Sequence, residues 1–377
     1  MKMNSLNLLV GRTATHLKQR LNSARSHSHS KPFTGRTERR VLLLTIAERI
    51  PQSQVYPFHF FADVITERHD AEIREVTVEA YLAGRWPGLD NATSVCFQTN
   101  FDVSDFELNS LLTTIRNRSP NAKIVYLDWF APTDLRLAQR LSDHVSVYVK
   151  KHVLASMAQY DLPTLGDTNL TDYFGRRFAL DMPNTHFPVP SGFLNKILVG
   201  PSFATADFML KTFAGRAPLS GPERPIDIHA RLTVHGTNWY QLMREECIAA
   251  VQSLKGVQSV TETGVNQVQY LHELKNSKIC FSPFGYGEVC WRDFEAVAHG
   301  AVLLKPDMSH IRTDPDIFIA GETYMPVAWN LSDFEDKVHE LLNDAALRRR
   351  LTNNAFEVVH DYVAQNRFVE KMTPIFR

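Results

Sequence analysis

The chain has 377 residues, 44% of them hydrophobic, enough apolar material for two cores. Its 41 basic and 41 acidic residues cancel, and a neutral chain of this kind is not expected to be a general nucleic-acid binder. No run approaches the roughly 18 apolar residues of a membrane-spanning helix. Cys96, Cys247, Cys280 and Cys290 show no Cys-x-x-Cys spacing, so free thiols in a reducing cytoplasm are expected.

Residues 1–40 hold nine Lys or Arg and one acid, Glu38. Leu6, Val10, Ala14, Leu17 and Leu21 fit a helical stripe, so this segment reads as a basic amphipathic helix on the inner face of an anionic membrane. A disordered basic tail is the equal alternative, because Gly11 and the Ser/His run at 26–30 weaken a helix. From residue 41 strands and helices alternate. Strands are expected at 41–47, 73–78, 94–98, 123–126 and 145–149, with helices at 56–64 and 106–115 and a loop at 48–54. That alternation means βαβ units and a parallel sheet. Segment 166–175 is rich in turn formers and polar side chains and reads as a recognition loop.

A proline-rich linker is expected at 214–225, where Pro218, Pro222 and Pro225 interrupt the apolar pattern. A second alternating block begins there, with strands at 226–232, 258–261 and 279–281. Tyr240, Met243, Cys247, Val251 and Leu254 mark the buried side of a helix. Closing helices are expected at 331–342 and 345–363.

The most informative stretch is 279–305, which reads as strand, glycine turn, helix, glycine stop and strand. Continued as one helix, it puts Glu288, Arg292, Glu295 and His299 on a single face, opposite an apolar stripe. Gly285 and Gly287 let backbone come close to a ligand just before the helix N-terminus, where N–H groups and the dipole favour anions. Ligands in open α/β sheets bind outside the carboxyl ends of the strands. Arg231 and Lys305 stand at two other such ends and are candidate phosphate contacts. An acceptor hydroxyl needs a base, and Asp128 and Glu48, each ending a strand of the first block, are the candidates.

The run Phe-Glu-Ala-Val-Ala-His-Gly-Ala-Val-Leu-Leu at 294–304 resembles the donor-site helix of GT-B glycosyltransferases, which reads Glu-Ala-Met-Ala-x-Gly-x-Pro-Val-Val. The resemblance is specific over roughly 225–360. It implies that Glu295 binds the ribose of a nucleotide. Many retaining members carry a second Glu eight residues earlier; here Gly287 holds that place and Glu288 lies seven earlier, a departure from the pattern.

The resulting expectation is an α/β protein of two Rossmann-like domains facing across a cleft. Its parts are a basic segment (1–40), an acceptor domain (41–213), a linker (214–225), a nucleotide-sugar domain (226–363) and a terminal segment (364–377) crossing back to the first domain. The expected activity is transfer of a sugar from a nucleotide sugar to a glycan, lipid-linked or protein acceptor in cell-surface glycoconjugate synthesis. The nucleotide sugar enters as substrate, no cofactor is expected, and Arg292 with helix N–H groups takes the part of a metal. Asp314-Pro-Asp316 is the only Asp-x-Asp, and no metal ligand set is expected. Two alternatives stay open: a nucleotide-sugar epimerase, and a non-catalytic sugar- or lipid-binding protein of the same fold.

Overall fold

The computed structural model describes residues 31–86, 88–215 and 224–377. The proposed membrane segment lies mostly outside these residues, as does most of the expected linker. Among the described residues no helix is long and apolar enough to cross a membrane.

The first domain is built on strands β1 (Arg39–Thr45), β2 (Ala71–Thr77), β3 (Ser94–Phe97), β4 (Lys123–Asp128) and β5 (Val147–Lys150). Four short strands come next: β6 (His152–Leu154), β7 (Thr164–Leu165), β8 (Asn184–Thr185) and β9 (Ile197–Val199). The main sheet has the order β2-β1-β3-β4-β5-β9 and every pairing is parallel. β1 explains why. Its run Val41 to Leu44 is fully buried, so both faces need a helical cover, which only crossover connections supply.

The second domain contains β10 (Ile226–His229), β11 (Ser259–Val260), β12 (Ser277–Phe281), β13 (Val302–Pro306), β14 (Ile311–Thr313) and β15 (Met325–Val327). Its parallel sheet runs β11-β10-β12-β13-β15. Counted from each domain's own first strand, both sheets begin 2-1-3-4, continued by β5 and β9 in the first and by β15 in the second. The doubly wound topology places a crevice where the order reverses, outside β1 and β3 in one domain and outside β10 and β12 in the other.

Three features join the domains. β6 of the first pairs antiparallel with β14 of the second, and Ala155 N–H extends the ladder to His310 O at 2.7 Å. The Phe174 ring stacks on Trp239 and Trp329 of the second domain at 6.0 and 6.2 Å. The chain also returns: Phe368 packs on Phe58 and Phe61, and Ser94 Oγ donates to Ile375 O at 2.6 Å.

Two local expectations need correction. The stretch 48–54 is not a loop, because a helix begins at Arg49 and runs Arg49–Phe60. Segment 166–175 is not a loop either. Thr168 caps the helix Asn169–Arg177 reciprocally with Thr171, so the Thr-Asn-Leu-Thr run is a helix start rather than a turn.

Candidate active site

The loops and helices after β10 and β12 line the second-domain crevice. Beyond β12 the chain turns at Gly285, whose N–H donates to Gly287 O at 3.0 Å, and the helix Trp291–Ala298 starts only at residue 291. Asp293 sets that start: it accepts from Cys290 N–H at 2.8 Å, Ser282 Oγ at 2.6 Å and Lys305 Nζ at 3.0 Å. Glu288 therefore lies before the helix, not on its face. Arg292 and Glu295 do share a face one turn apart.

Arg292 donates to Arg231 O at 2.5 Å and to Tyr270, and its Nε is buried without a partner among the described residues. Arg244, buried on the helix Asn238–Ser253, donates to Phe284 O at 2.5 Å; its Nε is likewise unpartnered. His229, the last residue of β10, is fully buried with neither ring nitrogen hydrogen-bonded among the described residues. Glu273 stands 3.7 Å from its Nε2, beyond hydrogen-bond reach. Burial first, then the Arg292 charge, pushes His229 down to about 4, and the same two causes lower Arg244. Arg292 thus repels Arg244 and keeps His229 uncharged near neutrality, and among the described residues no carboxylate hydrogen-bonds any of the three. Glu295, 8% exposed, accepts no hydrogen bond on its carboxylate among the described residues. Arg231 is different: its guanidinium grips Glu273 at 2.5 and 2.9 Å, so its contribution to the crevice is its backbone carbonyl.

Across the cleft, Glu288 is the meeting point of the two domains. Asn169 Nδ2 donates to Oε1 at 2.6 Å, His152 Nε2 contacts Oε2 at 3.0 Å, and Thr133 Oγ1 and His310 Nε2 stand at 3.4 and 3.5 Å from Oε1. Burial alone would raise the Glu288 carboxyl, but the bonds from His152 and His310 outweigh it and hold it well below the usual range. Burial pushes His152 down to about 4, so at neutral pH it is a neutral imidazole donating Nε2–H to an ionised carboxylate. Thr133, Asn169 and His310 also line a cavity of about 270 Å³, with Trp329, Phe187 and Asp167 around them. Phe284 links the two parts of the site. Its carbonyl holds Arg244, and its ring lies 4.8 Å from Trp329 and 6.3 Å from His310.

Residues 219–373 match a family model described as glycosyl transferase-like. An alpha-glucosyltransferase solved with UDP and a 13-mer DNA is similar in structure, with a TM-score of 0.50 at 10% identity over 90% of this chain and 99% of that one. The same enzyme with UDP alone gives 0.50 at 8% identity, again over 90% and 99%. The fold is GT-B. The resemblance read from residues 294–304 is borne out, and it extends to the first domain. No curated protein matches the sequence. One expectation falls. Exclusion of nucleic acid as a partner rested on zero net charge, yet a GT-B protein of this shape is solved with DNA. Net charge reports a sum, whereas a strand is bound by a local patch.

On the GT-B frame the remaining candidates separate. Asp128 is fully buried and spent on Tyr148 OH at 2.5 Å, Lys150 Nζ at 2.9 Å and Phe130 N–H at 2.9 Å, so it locks the end of β4 and is no acceptor base. Glu48 stands before the first helix, with no side-chain capping bond and none to Glu288 or Arg292. Lys305 is fully buried against Asp293 and holds the helix start rather than a phosphate. Gly287 is needed for a contact within the chain, since a Cβ there would meet Ala131 O of the first domain at 1.8 Å. Gly285 serves the turn. Glu288, with both oxygens taken, positions Asn169, His152 and His310 instead of acting as a free base. Asp316 Oδ1 closes its own turn with Phe318 N–H at 3.0 Å, and Asp314 faces Tyr362.

Sequence reasoning missed Arg244, His229, His152 and Asn169. Arg244 carried a signal: it interrupts the apolar side that Tyr240 and Cys247 define. Lys150-Lys151-His152 carried another, as three polar residues in a row at the end of a buried strand. Asn169 had none, because its partner is 119 residues away.

Proposed function

We propose that the protein is a glycosyltransferase that binds a nucleotide sugar in the second-domain crevice and places the acceptor against the first domain. The observation that carries this reading is the unbalanced group of His229, Arg244 and Arg292 beside the unpaired carboxylate of Glu295. Buried polar groups are normally satisfied, and a set left open at a topological switch point fits an anionic ligand with hydroxyls. Arg292 and Arg244 would take the diphosphate and Glu295 the ribose. These cations neutralise the leaving diphosphate, so we propose transfer without a divalent ion.

The cavity beside Glu288 is close to the lower end of the roughly 300–1,000 Å³ typical of ligand clefts, a size that suits one sugar unit rather than a whole donor. Asn169 and His310 offer its polar contacts and Trp329 an apolar wall. The acceptor class we propose is a hydroxyl-bearing glycan, lipid-linked glycan or protein of cell-surface glycoconjugates, with DNA included among the acceptors to test.

The test is a thermal-shift panel of UDP-, GDP-, CMP- and dTDP-sugars, then transfer assays with the hit. A ligand at a hundred times its dissociation constant should stabilise the fold by about 2.7 kcal/mol, and turnover should persist in EDTA. Absence of stabilisation by every donor would overturn the reading, and turnover lost to EDTA and restored by manganese would overturn its metal-free part.

A further inference from the structure

Lys151 comes directly after β5, between Lys150, which pairs with Asp128, and His152, which pairs with Glu288. It is 3% exposed, and its Nζ has no hydrogen-bond partner among the described residues. The ammonium lies 4.9 Å from the ring centre of Phe203, which stacks at 4.4 Å on Trp291, the first residue of the helix Trp291–Ala298. Arg49 also sits 4.6 Å over the Trp291 ring.

The charged or titratable groups that act most on Lys151 are Lys150, Asp128, Cys290 and Glu288, and Lys151 in turn helps to keep the neighbouring His152 neutral. None serves as its counter-ion. Asp128 is saturated by Lys150, Tyr148 and a backbone N–H, and Glu288 by Asn169 and His152. Lys150 repels it. An ammonium buried in this way costs several kcal/mol, a cost met by loss of its proton or by a bound anion. Burial, then the Lys150 charge, pushes Lys151 down to about 7.

We propose that Lys151 is a donor-binding residue supplied by the first domain, its ammonium taking a phosphoryl oxygen at the N-terminal end of the helix Trp291–Ala298. The inference rests on the donor crevice assigned above and adds a contact from across the cleft. A phosphoryl group is the ligand class because a buried cation and a helix N-terminus meet there, and each favours negative charge. A neutral sugar hydroxyl would leave the ammonium uncompensated. Since Lys151 is partly deprotonated near neutrality in the free protein, an arriving anion raises its proton affinity and binding takes up a proton.

The experiment is calorimetric titration of UDP, GDP and ADP into wild type, Lys151→Met and Lys151→Arg between pH 7 and 9. The second phosphate ionisation, near 6, is complete in that window. For the nucleotide that binds, wild-type affinity should fall by up to about tenfold per pH unit, with a binding heat that depends on the buffer's ionisation heat. Lys151→Met should bind about tenfold or more weakly at pH 7 with no pH dependence, and should melt at a higher temperature than wild type. Lys151→Arg should keep its affinity at pH 9. A residue retained for folding would behave oppositely, with a lower melting temperature and unchanged affinity. If Lys151→Met binds like wild type with the same pH dependence, this inference fails and the donor crevice stands. If wild type binds none of the three nucleotides and no nucleotide sugar of the panel above stabilises it, the crevice assignment fails first. Should Lys151→Met not fold, a wild-type binding heat independent of buffer would still overturn the proposal.

Discussion

The two domains share the strand order 2-1-3-4 yet fill their switch-point crevices in opposite ways. Outside β1 and β3 the crevice is closed by the chain itself. Buried Gln98 accepts from Ile46 N–H at 3.2 Å and donates to Pro51 O at 3.0 Å. The nearby carboxylates are paired too, Asp128 with Lys150 and Glu75 with His59 at 2.7 Å. Outside β10 and β12 the crevice keeps His229, Arg244 and Arg292 with unpartnered nitrogens, and Glu295 without a donor, among the described residues. Each rim has exceptions: Lys151 Nζ and Gln54 Oε1 are unpartnered in the first among the described residues, and the Asp293–Lys305 and Arg231–Glu273 pairs are closed in the second. The contrast teaches that burial of a charge says little by itself. A charge satisfied inside the chain holds the fold, and one left open holds a place for a ligand.

The largest effect that can break this contrast is on stability. Asp128→Ala leaves Lys150 buried and alone, and should destabilise the protein by about 3–5 kcal/mol in chemical denaturation, while the folded fraction keeps wild-type nucleotide affinity. A variant of normal stability and lost activity would return Asp128 to the catalytic candidates. Next comes acid. Burial would raise Glu75, but the hydrogen bond and charge of His59, with Gln52 and Thr45, bring it down to about 2. A depressed carboxyl contributes stability that is complete above its unfolded value, near 4.5, and is lost as pH falls toward 2. Glu75→Gln should therefore be less stable at neutral pH by about 3 kcal/mol and lose less between pH 4.5 and 2. Parallel acid titrations of the two proteins would contradict the pairing.

How far the sequence speaks obeys the same division. Both sheets were legible because β1, β3, β4, β12 and β13 are short apolar runs buried on both faces, and glycines at 285, 287 and 300 punctuate the donor segment. Arg292 and Glu295 were legible as residues one helical turn apart. Glu288 was misplaced because periodicity cannot see that Asp293 starts the helix only at residue 291. Asp128 and Lys305 looked like site residues because a strand end looks the same whether its charge meets a ligand or a neighbour. Only the distances to Lys150 and Asp293 separate the two cases. Gly287 looks like room for a ligand, yet the atom that needs the room is Ala131 O. Contacts between domains, such as Asn169 with Glu288, leave no local pattern to read.

The central claim is that the open charges of the second crevice hold a nucleotide diphosphate. The direct measurement is calorimetric titration of UDP, GDP and ADP into wild type, Arg292→Ala and Glu295→Ala at pH 7, with melting temperatures recorded for all three proteins. One nucleotide should bind wild type. Arg292→Ala should weaken it by about ten- to a hundredfold and Glu295→Ala by about tenfold, each with a melting temperature close to wild type, because neither side chain balances another buried charge. Wild-type affinity in both folded variants would contradict the account.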